Sequence, residues 1–143
     1  MRTADFEIFQ PDLSTEYRCP FFLMPVSAGF PSPADDYIEN RLDLNKHLIQ
    51  HPAATFFVKA RGDSMIEAGI HSGDILIVDR ALEATDKRVV IAVIDGELTV
   101  KRIRIFEGKI FLLPANQDYS PTEITEAMNF EIWGVVTNVI HAL

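Results

Sequence analysis

A serine beside a glycine turn and a lysine placed among apolar residues are the two side chains of this sequence whose surroundings suggest bond-breaking chemistry. Ser64 lies in Gly62-Asp63-Ser64-Met65, directly after a strand-like run. A turn there presents the hydroxyl with the backbone N–H groups of Ser64 and Met65 around it, the makings of an oxyanion hole. A serine hydroxyl is unreactive at its own pKa and needs a neighbouring base, either a histidine or a deprotonated lysine. The same residues support a structural reading, because Ser64-Met65-Ile66-Glu67 matches a capping box in which Ser64 caps a helical turn and Glu67 reaches back. The two readings are compatible, since a helix N-terminus also aims N–H groups at an anion.

The lysine is located by a hairpin. Asp95-Gly96 separates Val89 to Ile94 from Glu97 to Phe106, and Asp-Gly is a strong signal for a two-residue turn with positive φ at both positions. That turn predicts Ile94 opposite Glu97, Ala92 opposite Thr99 and Val90 opposite Lys101. Along its own strand Lys101 shares a face with Thr99, Ile103 and Ile105, whereas Arg102 and Arg104 point the other way with Leu98 and Val100. Burial disfavours the ammonium and lowers a lysine pKa, which turns the side chain into a candidate base for Ser64. The alternative is a lysine whose stem crosses the apolar face while its head reaches water.

The remaining candidates are weaker. His47 and His51 stand four apart, as helical metal ligands do, but Pro52 ends the helix and no third ligand is evident. His71 is a reserve base for Ser64, with Asp74 or Asp79 to orient it. Cys19 has no activating neighbour and reads as an ordinary thiol. Arg61-Gly62-Asp63 matches an adhesion tripeptide too short to carry weight. No glycine loop of the phosphate-cradling kind is present. Neither a metal nor a cofactor is expected.

The elements that must position these groups follow from pattern. The chain has 143 residues, 48% of them hydrophobic, enough for about one domain with a core of its own. Thirteen Lys and Arg against 21 Asp and Glu leave a net charge of -8, which argues against a phosphate-binding surface. No apolar run approaches the ~20 residues of a membrane helix. The stretch from Phe21 to Ala28 looks like part of a secretory signal, but acidic residues precede it and Pro20 and Pro25 bracket it; a cytoplasmic location is expected, with the lone cysteine in keeping. Residues 1–40, punctuated by five prolines, read as an extended or mobile arm, and residues 41–143 as a β-rich domain. Asp43 is positioned to cap a short helix over Leu44 to Gln50, with Leu44, Leu48 and Ile49 inward. Strands are expected over Ala54–Ala60, Asp74–Asp79, Val89–Ile94, Glu97–Phe106, Lys109–Leu113 and Phe130–Ile140, the last broken at Gly134.

A set of motifs in fixed order now carries a resemblance: Ala28-Gly29-Phe30-Pro31-Ser32-Pro33, Gly62-Asp63-Ser64-Met65, and Asp95-Gly96-Glu97 with Thr99-Val100-Lys101. Leu42-Asp43-Leu44-Asn45, Gln50-His51-Pro52 and Tyr119-Ser120-Pro121 extend it over residues 20–143. Together they resemble the LexA/UmuD family of self-cleaving, S24-type serine peptidases. The resemblance implies a mainly β domain similar to that of signal peptidases, with strongly bent sheets, one short helix and an extended N-terminal arm. It implies Ser64 as nucleophile, Lys101 as general base and Ala28-Gly29 as the bond cut. It further implies an SOS-response protein whose cleavage is stimulated by the RecA nucleoprotein filament, and a homodimeric product that joins a Y-family, UmuC-like polymerase subunit in translesion DNA synthesis. The Ala-Gly bond matches LexA, where the best-known UmuD proteins carry Cys-Gly. About 28 residues before that bond are too few for a helix-turn-helix domain with its own core, so direct sequence-specific DNA binding is not expected.

Overall fold

The computed structural model describes residues 7–22, 28–29 and 39–143, which fall into two compact units, Met1–Pro11 with His51–Leu143, and Asp12–Gln50. In chain order the strands are β1 (Glu7–Phe9), β2 (Arg18–Phe22), β3 (Glu39–Asp43), β4 (Thr55–Lys59), β5 (Ile75–Asp79), β6 (Val89–Ile94), β7 (Glu97–Phe106), β8 (Lys109–Leu113), β9 (Thr122–Glu123) and β10 (Phe130–Ile140). One α-helix, α1 (Leu44–Leu48), is present among the described residues. The protein is mainly β, as the alternation of apolar runs and turn residues predicts.

In the larger unit eight strands form one antiparallel sheet in the order β1-β4-β5-β10-β6-β7-β8-β9. The centre of this sheet is buried on both faces. Ile91 joins a cluster with Val58, Met65, Leu76, Val78, Leu98, Val100 and Trp133, while its neighbours Val90 and Ala92 join Ile103, Leu112 and Val135 on the other side. That explains why β6 is an unbroken apolar run rather than an alternating one. The β6–β7 register is the expected one, with Ile94 opposite Glu97, Ala92 opposite Thr99 and Val90 opposite Lys101. Asp95 and Gly96 both have positive φ, 50° and 84°. Glu107 and Gly108 repeat the turn at 49° and 75° between β7 and β8.

Several local expectations are corrected. Gly134 does not break β10; the register shifts between Ile132 and Gly134 and again between Val136 and Asn138. Extra residues of this kind bend a strand and increase its twist without ending it. Glycine is required at 134 by packing, because a Cβ there would lie 2.6 Å from Cγ1 of Val78. Residues 7–9 and 18–22 are extended, but they are also paired, β1 with β4 and β2 with β3. In the smaller unit Asp43 caps α1, its Oδ1 accepting from the Asn45 N–H at 3.0 Å. The helix stops at Leu48, short of Gln50, and Leu44 is 60% exposed rather than inward. A helix of little more than one turn presents a single stripe, and Leu48 with the buried Ile49 supplies the apolar side.

Candidate active site

The turn that carries Ser64 is built by hydrogen bonds from two directions. Behind β4 the chain reverses at Gly62, whose φ of 91° lies in the left-handed region that glycine enters without steric cost, and its N–H donates to Ser72 Oγ at 3.1 Å. Ahead, the segment after β8 clamps the turn. Ala115 N–H donates to the Ser64 carbonyl and Glu67 N–H to the Ala115 carbonyl, each at 2.8 Å. Asn116 Nδ2 donates to the Asp63 carbonyl at 2.9 Å and Tyr119 OH to Asp63 Oδ1 at 2.7 Å. The Asp63 carboxylate holds the Tyr119 hydroxyl protonated, raising its pKa. Met65, 1% exposed, anchors the turn in the core. Ile66–Ala68 form a 3-10 turn whose N-cap is Met65, and no side chain caps it. The capping-box arrangement is therefore not adopted: the Glu67 N–H is taken by Ala115, and the Ser64 hydroxyl faces elsewhere.

It faces Lys101. Lys101 Nζ lies 3.0 Å from Ser64 Oγ, and equally 3.0 Å from Thr99 Oγ1 and from the Val100 carbonyl. Burial lowers the Lys101 pKa from 10.5, and no carboxylate pairs with the amine among the described residues to oppose that shift. A neutral amine has two N–H donors and one lone pair. In that form two donors serve the Val100 carbonyl and Thr99 Oγ1 and the lone pair faces the Ser64 hydroxyl, whereas the ammonium donates to all three. The snorkelling alternative describes this side chain only in part: it borders the cleft, but three protein groups hold its head there.

Ser64 and Lys101 line a cleft of about 340 Å³ together with Gly62, Leu98, Thr99 and Tyr119. Among the described residues, neither the Ser64 nor the Met65 N–H donates to a protein acceptor, so both remain available to an anionic oxygen. β8 pairs with β7 only from Arg102 onward, and β6 covers the opposite edge of Glu97–Lys101. The stretch of β7 beside the cleft is thus an open strand edge, the kind to which an extended peptide adds by main-chain hydrogen bonds. Ala28 and Gly29 belong to the Asp12–Gln50 unit, where both are exposed bends, and a Cβ at Gly29 would meet nothing within 4 Å.

Of the other candidates, His71 and His51 have partners of their own. His71 stacks on His141, ring centroids 4.4 Å apart, beside Asp74. His51 Nδ1 is 2.6 Å from Asp79 Oδ2, and His47 lies in the smaller unit with Arg18, Arg41 and Lys46. Cys19 is an exposed free thiol. The clamp by Ala115, Asn116 and Tyr119 escaped the sequence reading, because a contact from Tyr119 back to Asp63 crosses 56 positions and leaves no local signal.

A serine hydroxyl 3.0 Å from a half-buried lysine that no carboxylate pairs among the described residues, beside two free N–H groups and an open strand edge, suits a serine hydrolase that takes an extended peptide. The chain belongs to the Peptidase S24-like family, a serine peptidase family, whose pattern matches residues 20–137. Its relatives include Protein SamA of Salmonella typhimurium strain LT2, 52% identical over 122 residues that span 85% of this chain and 84% of that one. Protein ImpA of Escherichia coli is 47% identical across 99% of this chain and 96% of its own length. Protein MucA of Escherichia coli is 42% identical, covering 87% and 86% respectively. These relatives are of the UmuD type, in agreement with the motif resemblance. Among the described residues no helix is long and apolar enough to cross a membrane.

Proposed function

We propose that this protein is a self-cleaving serine peptidase that cuts its own Ala28-Gly29 bond. The observation that carries the reading is the 3.0 Å contact between Lys101 Nζ and Ser64 Oγ, at an amine whose pKa burial lowers. The segment holding Ala28-Gly29 adds to the open edge of β7, and its docking dries the site further. Neutral Lys101 takes the Ser64 proton as Oγ attacks the Ala28 carbonyl carbon, and the N–H groups of Ser64 and Met65 stabilise the oxyanion. Collapse breaks the C–N bond, the Lys101 ammonium returning the proton to the departing Gly29 nitrogen. Water then hydrolyses the acyl group on Ser64, leaving a carboxylate at Ala28. The exposure of both residues and the empty space at Gly29 suit such docking.

On this reading residues 1–40 form the arm that carries the cut bond and residues 41–143 the peptidase and dimerisation domain. A docked arm that is a minor conformation is sped to cleavage by any surface that binds it preferentially, without donating catalytic groups. The RecA filament formed in the SOS response has that role. The product, residues 29–143, acts as a cytoplasmic homodimer and accessory subunit of a Y-family, UmuC-like translesion polymerase.

Purified parent, Ser64→Ala and Lys101→Ala chains incubated at alkaline pH and weighed by mass spectrometry test the central step. The parent yields a fragment beginning at Gly29, and each variant slows the reaction by at least about 10³-fold. An intact parent, or a Ser64→Ala chain cut like the parent, leaves instead a non-catalytic adaptor.

A further inference from the structure

Three ligand-bearing side chains that the peptidase reading does not use converge at one end of the sheet. Asp74 precedes β5 and His141 follows β10; the antiparallel register that sets Ile140 opposite Ile75 continues one step to set His141 opposite Asp74. His71 is brought in by the turn before β5, in which Asp74 N–H donates to the His71 carbonyl at 3.0 Å and His71 N–H to Asp74 Oδ2 at 2.7 Å. His141 Nδ1 lies 2.6 Å from Asp74 Oδ1 and His71 Nδ1 3.7 Å from Asp74 Oδ2. One donor atom from each of the three residues falls within 4.8 Å of the others.

Two features distinguish this group from a histidine–carboxylate ion pair. The Nδ1 of His71 is buried and has no hydrogen-bond partner, a costly state for a polar atom that a ligand would relieve. The two imidazoles also stack side by side, 28° from parallel, with both Nδ1 atoms turned to the same carboxylate. A single histidine suffices for an ion pair with Asp74; the second is placed where a third ligand belongs.

We propose that His71, Asp74 and His141 form a binding site for a divalent transition-metal ion, zinc by donor type. Two imidazole nitrogens and one carboxylate oxygen suit Zn²⁺ at about 2.0–2.2 Å, with the fourth position left to water. Hard cations such as Mg²⁺ want an oxygen octahedron instead. Ligand atoms that share such an ion stand roughly 3.3–3.5 Å apart, so His141 Nδ1 must exchange its 2.6 Å hydrogen bond to Asp74 Oδ1 for the ion while His71 Nδ1 closes from 3.7 Å; the carboxylate is already fixed by the His71 N–H and buried at 4% exposure. The bound ion joins the residue that follows β10 to the turn ahead of β5. It therefore pins the segment that follows β10 at this end of the sheet.

Isothermal titration of the full-length Ser64→Ala chain, which does not consume itself, with ZnCl₂ and separately with MgCl₂ tests the site. The expected result is one zinc ion per chain, no saturable magnesium binding, and a melting midpoint that rises by about 2–8 °C in excess zinc. His71→Ala and His141→Ala each weaken zinc binding by at least about tenfold, whereas His47→Ala, in the other unit, leaves it unchanged. Cobalt(II) in place of zinc gives the visible absorption of a four-coordinate ion, lost in both variants. Substoichiometric zinc, or His71→Ala and His141→Ala chains that bind it like the parent, overturns the proposal. Because none of these readouts involves cleavage, a metal-free result and an uncut Ala28-Gly29 bond are separate failures.

Discussion

Lys101 gathers the energetic conflict of the site into one amine. Its stem leaves β7 opposite the fully buried Val90, its head meets Ser64, Thr99 and the Val100 carbonyl, and desolvation alone moves its pKa, downward from 10.5. Below a base's pKa its neutral fraction rises tenfold per pH unit. Self-cleavage of the purified parent is therefore expected to accelerate by about tenfold per unit from pH 7, and to level off before the pKa of an ordinary lysine near 10.4. Rates followed by fragment mass that stay flat from pH 7 to 10 would remove Lys101 as the base. The same shift works against stability. The unfolded lysine binds its proton more readily, so the cost is absent above the unfolded pKa, grows as pH falls between the two values, and is complete below the folded one. The position of this lysine was readable from Asp95-Gly96 and the period of two along the strand. Its contact with Ser64 was not, because the two are 37 residues apart and no pattern in either segment names the other.

At the level of elements, turn chemistry was legible and the details of β10 were not. Asp95-Gly96 and Glu107-Gly108 announce themselves because positive φ at successive positions restricts residue choice. Gly134 looked like an interruption, whereas its lack of a side chain serves the packing of β10 across β5. Val78, with no exposed surface, stands 2.6 Å from where a Cβ would be, and Arg80 Cγ stands at 3.2 Å. Neither yields easily. Val78 is branched at Cβ and restricted in rotamer, and Arg80 donates from Nε to the Trp133 carbonyl at 2.7 Å while its guanidinium lies 4.5 Å from the Trp133 ring centroid. Gly134→Ala is thus expected to destabilise the domain by roughly 1–3 kcal/mol, lowering Tm by about 3–12 °C. Thermal unfolding of the Ser64→Ala chain with and without the change measures it; an unaltered Tm would mean that β5 and β10 separate more freely than their packing indicates. β1, β2, β3 and β9 were missed for a different reason, being strands of two to five residues, too short to show an alternating pattern.

For the whole molecule the consequence of cutting Ala28-Gly29 depends on what residues 1–28 hold. They supply β1, an edge strand whose Glu7, Ile8 and Phe9 pair with Lys59, Val58 and Phe57 of β4, and Ile8 packs on the core cluster of Val58, Met65 and Leu76. They also supply β2, which pairs with β3 within the smaller unit. In the intact chain these contacts are intramolecular, favoured by an effective concentration of roughly millimolar order; after the cut they become bimolecular. Dilution to micromolar then favours release, because a short paired strand has little stability by itself. Release uncovers the β4 edge, with Phe57 and Val58 bordering it, and leaves β3 without its partner. Unpaired edges of this kind recruit further strands, so a product of the proposed cut is expected to acquire a surface for association that the intact chain covers. Hydrogen exchange of the amides in Thr55–Lys59 and Glu39–Asp43 reads this directly. Protection there is expected to fall on cleavage and to return when a synthetic peptide of residues 1–28 is added at about millimolar concentration. Unchanged protection, with the fragment co-eluting with residues 29–143 at micromolar concentration, would show that the cut alters covalent structure without uncovering the sheet.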